Sequence, residues 1–177
     1  MSSDTKMKNI KTKIIIAGEA GSGKSFIARA ADACVASQEI GVSIGKISET
    51  IPETSSEMTL MTWAITKGRP RESTHMEFAS AAIIVCDLTK PETVDFTSQW
   101  ADRILHYIGD IPLFFAVNNV HLGPSDTYSR LRKVAHEYNS FCFPISEDRE
   151  SARDLLRIIA WDLSETLRGE EHALVSW

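Results

Sequence analysis

Residues 13 to 29 read Lys13-Ile14-Ile15-Ile16-Ala17-Gly18-Glu19-Ala20-Gly21-Ser22-Gly23-Lys24-Ser25-Phe26-Ile27-Ala28-Arg29. Lys13 to Ala17 is a short apolar, β-branched run of the kind that forms a buried parallel strand. Gly18, Gly23, Lys24 and Ser25 then spell G-x-x-x-x-G-K-S. A helix-forming stretch, Ser25 to Ala36, follows at once. The pattern has a mechanism. Glycines let backbone wrap an anion, and the loop N–H groups point into the wrap. The lysine reaches the outer phosphates and the hydroxyl ligates Mg²⁺. The sequence therefore predicts a phosphate loop made of Gly18, Ala20, Gly21, Ser22, Gly23, Lys24, Ser25 and Phe26. Strand, loop and helix come in the order the motif needs.

Outward from this stretch, the chain alternates strand and helix signals. Val42 to Ile51 alternates loosely and reads as an edge strand; Pro52 to Ser56 has turn composition, and Met58 to Trp63 resumes a strand, which predicts an antiparallel hairpin. Residues 66 to 73 read as an exposed basic loop, with a short helix around 75 to 79. Ala81 to Cys86 is a second fully apolar strand ending at Asp87. Pro91 opens a helix in which Trp100, Ile104, Leu105 and Ile108 recur at helical spacing. Ile111 to Val117 is a third buried strand, residues 125 to 138 a helix, Ser140 to Ile145 a last strand, and residues 148 to 168 a long helix. Six strands alternating with helices predict a mostly parallel sheet with one antiparallel edge strand and helices on both faces. Ligand is then expected at the carboxyl ends of the strands, where Gly18 to Ser25, Asp87, Asn118 to His121 and Ser146 all fall.

The chain has 177 residues and a net charge of −5. One domain is expected over residues 12–168, with a polar N-terminal extension (1–11) and a C-terminal tail (169–177). Acidic balance argues against nucleic acid as a partner. The three cysteines, Cys34, Cys86 and Cys142, lack metal spacing, and Cys86 and Cys142 read as small core residues of a cytoplasmic protein. The polar start has no signal-peptide stretch, no run is long enough to span a bilayer, and no C-terminal cysteine offers a lipid anchor. Five dispersed histidines suggest no metal site, and Trp161, off the Leu155/Ile159/Leu163 stripe, is a candidate contact residue.

With that order in place, the chain resembles Ras-like small GTPases of the P-loop NTPase class. The nearest resemblance is to bacterial gliding-motility and conservon-type GTP/ATP-binding proteins. Lys13 to Ser25 matches their first strand and phosphate loop. Gly41 to Ile47 resembles the strand after switch I, Ala82 to Thr89 the fourth strand, and Ile111 to Asn118 the strand entering the guanine-recognition motif. Asp148 to Ser151 resembles the last turn. The resemblance implies GTP/GDP with Mg²⁺, ATP/ADP not being excluded, and a nucleotide site completed by Asn118, Asn119, His121 and Ser146. It places Ser25 on Mg²⁺, with Glu39 at the position of the second metal ligand. It also implies a protein regulator or effector, a roadblock-fold protein among them, bound through residues 37–51 and 64–78.

Several positions depart from the family pattern. Ala64, Lys67 and Gly68 stand where switch II carries aspartate, glycine and glutamine, so slow or absent hydrolysis is expected. His121 stands in place of the guanine-reading aspartate, and a neutral imidazole offers one acceptor where the carboxylate offers two oxygens. Asn119 replaces a lysine. Three readings follow: a nucleotide-dependent switch; an ATP-dependent kinase or ATPase using Asp87 at the end of the Ile83-to-Cys86 strand; and a pseudo-GTPase scaffold.

Overall fold

The computed structural model describes residues 8–37, 41–54, 56–65, 72–146 and 148–175. Among them, seven strands form one sheet. These are β1 (Lys8–Ala17), β2 (Ala33–Ser37), β3 (Val42–Ile51), β4 (Ser56–Ile65), β5 (Ala81–Asp87), β6 (Leu113–Asn118) and β7 (Cys142–Ile145), in the spatial order β2-β3-β4-β1-β5-β6-β7. β4, β1, β5, β6 and β7 run parallel, while β2–β3 and β3–β4 pair antiparallel. The helices are α1 (Lys24–Ala30), α2 (Glu72–Met76), α3 (Pro91–Asp95), α4 (Thr97–Ile108), α5 (Ser125–Glu137) and α6 (Arg149–Val175).

The period of two along the central strands sorts side chains onto two faces. Ile14, Ile16, Ile83, Val85 and Ala116 face one core, shared with Ile27 of α1 and Leu156 and Ile159 of α6. Ile15, Ala17, Ile84, Cys86, Phe115 and Val117 face the other, shared with Trp100 and Ile104 of α4 and Leu131 of α5. All seven residues of β5 and all six of β6 are buried, which is why these strands read as continuous apolar runs. Pro144, with no N–H to donate, sits on β7, where only one neighbour needs pairing.

The α/β sheet is as expected, and the hairpin holds in register from Val42↔Ile65 to Ile51↔Ser56. Other elements differ from the sequence reading. The helix predicted to reach Ala36 ends at Ala30, and Ala33–Ser37 becomes a seventh strand on the edge. Its pairing with β3, begun by the Asp32 N–H donating to the Lys46 carbonyl at 2.9 Å, outweighs the helix propensity of an alanine-rich stretch. β3 is therefore paired on both sides and is not the edge. The helix opened by Pro91 is two helices, divided at Phe96. α2 begins at Glu72, earlier than expected. β1 starts at Lys8 and α6 runs to Val175, so regular structure enters both terminal stretches. Cys86 is buried and Cys142 only half-buried. No helix among the described residues is long and apolar enough to cross a membrane.

Candidate nucleotide site

From β1 the chain builds β2, β3 and β4 on one side, then crosses to build β5, β6 and β7 on the other. The reversal falls at the carboxyl ends of β1 and β5, where open α/β sheets usually bind their ligands. The loop from Gly18 to Gly23 occupies this position. Gly18, Gly21 and Gly23 have φ of 140°, 75° and 105°. A Cβ at residue 18 would collide with the Val85 carbonyl oxygen of β5, and one at residue 23 with the Asn118 amide of β6. Glycine is required at both for conformation and for space. The loop is thereby held against two strands.

Lys24 starts α1 and is only 6% exposed. Its Nζ donates to the carbonyls of Gly18 at 2.6 Å and Glu19 at 2.7 Å. An ammonium carries three donors, so these two bonds leave one for an anion. Burial lowers the Lys24 pKa to about 8, although the Glu19 carboxylate pulls it back upward. Glu19 is itself held by the Trp100 indole N–H at 2.9 Å. In the same loop the Ser22 hydroxyl is buried without a hydrogen-bond partner. A buried cation with an unused donor and an orphaned hydroxyl are both costly unless an anion completes them. Ala20 and Gly21 are exposed at the tip, while Ser25 and Phe26 are half-buried on the first turn of α1.

The turn after β6 meets this loop. Asn118, 7% exposed, donates through Nδ2 to the Ser22 carbonyl at 2.6 Å. Asn119 takes a φ of 56° and donates to Asp87 Oδ1 at 3.0 Å. His121 is exposed just beyond. Asp87 Oδ1 also accepts from the Thr89 backbone N–H (2.9 Å) and hydroxyl (2.6 Å). Burial pushes the Asp87 pKa up, but the hydrogen bonds from Thr89 and Asn119, with Lys90 nearby, hold it below the usual carboxylate value. That carboxylate serves its own turn, which argues against its use as a Mg²⁺-holding group. Ser146 is exposed at the α6 turn, where its N–H donates to Ser151 Oγ at 2.9 Å. The Ser151 N–H donates to Asp148 Oδ1 at 2.8 Å and caps α6.

The structure thus brings Gly18 to Ser25 together with Asn118, and Asn119 with Asp87. Glu39, Lys67, Gly68, Arg69 and Arg71 lie outside the described residues. Of the expected partner segment 37–51, Val42, Ile47 and Ile51 are buried and Glu49 is paired with Arg157 at 3.3 Å, leaving the sheet edge on that side to β2. Sequence reasoning missed two contributors, Trp100 and Lys90. Lys90 donates to the Gly21 carbonyl at 2.9 Å. Its position three residues after Asp87, at the rim, was the available signal; Trp100 had none beyond its place on the buried stripe of α4. Among the described residues no group of three or more His, Cys, Asp or Glu could hold a metal. A metal here would be held by Ser25 with phosphate oxygens and water, the mode Mg²⁺ favours. No protein-family model matches the chain, and no curated protein matches it.

Proposed function

We propose that the chain is a Ras-like P-loop protein that binds a nucleoside triphosphate with Mg²⁺ and acts as a slow-turnover switch on a protein partner. The observation that carries this reading is the buried Lys24, which spans the Gly18 and Glu19 carbonyls under a loop of three positive-φ glycines. The Asn118–Ser22 bond supports it by joining the turn expected to read the base to the loop expected to hold phosphate. Ser25 would ligate Mg²⁺, which supplies charge neutralisation between the phosphates. Lys24 holds the outer phosphates, and Asn118 fixes the loop. Ala64, buried at the end of β4, brings no carboxylate to the phosphate side, which supports slow hydrolysis.

The test is the identity of the co-purifying nucleotide, released by denaturation and resolved by chromatography. Guanine nucleotide supports the switch. Adenine nucleotide points to the ATP-dependent reading, which His121 favours by offering no carboxylate to guanine. A wild-type chain that binds neither GTP nor ATP by calorimetry refutes the proposal and leaves the scaffold.

A further inference from the structure

Two lysines donate to backbone carbonyls of the phosphate loop. Lys24 bonds to Gly18 and Glu19, and Lys90 bonds to Gly21 at the tip. Lys90 comes from the turn between β5 and α3. Its Nζ donates to the Gly21 carbonyl at 2.9 Å and stands 3.5 Å from Asp87 Oδ2. A Cβ at residue 21 would lie 3.1 Å from that nitrogen, so even alanine would press on it. Asp87 in turn accepts the Asn119 amide. Lys90 therefore links the loop tip, through Asp87, to the turn that follows β6. Its side chain is 45% exposed there. A half-exposed lysine lays its alkyl stem along a surface while its ammonium is anchored elsewhere. Asn119, turned toward Asp87, does not fill this place.

We propose that Lys90 is a positioning residue for the nucleoside part of the ligand. The ammonium is pinned by Gly21 and Asp87, and the stem forms the wall against which the nucleoside packs. The inference rests on the reading of residues 18–25 as a nucleotide site and adds a residue outside the motif to it.

The probes are Mg²⁺-GTP, Mg²⁺-ATP and inorganic tripolyphosphate, which has no nucleoside, each titrated into wild type, Lys90→Ala, Lys90→Arg and Lys24→Ala. Lys90→Ala is expected to weaken whichever nucleotide wild type binds by roughly tenfold, the size of losing about two methylenes of apolar packing. Tripolyphosphate affinity should stay within about threefold, and Lys90→Arg should recover most of the nucleotide affinity. The thermal midpoint of Lys90→Ala should barely move, because the Asp87 pair is at the surface on the lysine side. Unchanged nucleotide affinity in Lys90→Ala, or an equal loss for tripolyphosphate, overturns the assignment while leaving the loop reading intact. Tripolyphosphate binding that is absent in wild type, or indifferent to Lys24→Ala, overturns the loop reading and Lys90 with it.

Discussion

The buried ammonium of Lys24 makes ligand affinity depend on pH in a range where few other groups titrate. Burial places its pKa at about 8, against 10.5 for an ordinary lysine. It is then about nine-tenths charged at pH 7 and about one-tenth charged at pH 9. A polyphosphate beside it favours the charged form, so binding must take up the missing proton as pH rises. Affinity is expected to fall about tenfold between pH 7 and pH 9, with close to one proton bound per ligand at the upper end. Titration calorimetry with Mg²⁺ in excess, in two buffers of different ionisation heat, reads both quantities. Lys24→Arg removes the titration, since a guanidinium stays charged, and its residual affinity should be flat over the same range. Wild-type affinity that does not change from pH 7 to pH 9, with no proton uptake, would refute the placement of the anion beside Lys24. The same shift acts on folding. The unfolded lysine binds its proton up to about pH 10.5 and the folded one only to about 8. The cost is complete below about pH 8, on the order of 3 kcal/mol, and is relieved as pH rises toward 10.5.

Gly18→Ala forces a Cβ onto the Val85 carbonyl at a φ of 140°, and should destabilise the fold by about 2 kcal/mol or more in urea titration; an unchanged midpoint would contradict the described loop. Asn118→Ala removes the donor to Ser22 and should cost about 1 kcal/mol while speeding nucleotide release in a stopped-flow chase. Asp87 has a folded pKa below its usual value, so its stabilisation is present above about pH 4 and is lost as pH falls through the lower folded pKa. Acid unfolding of Asp87→Asn should accordingly show a weaker pH dependence than wild type; a superimposable curve would mean that the Thr89 and Asn119 bonds add nothing. His121→Asp should raise GTP affinity relative to ATP, read by competition against a fluorescent nucleotide, and no change in the ratio would place base recognition elsewhere.

Local signals carried much of the architecture. Isoleucines at 14 to 16, the run from Ala81 to Cys86 and the run from Leu113 to Val117 are buried on both faces, and burial on both faces is what makes a strand legible without its neighbours. The glycines at 18 and 23 were legible for a related reason, since a tight backbone path excludes every other residue type. The edge formed by β2 was not legible. Ala33 to Ser37 has the composition of a helix end and becomes a strand only because β3 offers it a ladder, an energy that exists only once the chain has folded. The site divides in the same way. The motif announced Lys24 and Ser25 through their spacing. The use of Asn118 to hold Ser22, the tie from Asn119 to Asp87 and the reach of Lys90 to Gly21 join residues 96, 32 and 69 positions apart. No local pattern encodes such distances; they are set by which strands lie side by side in the sheet.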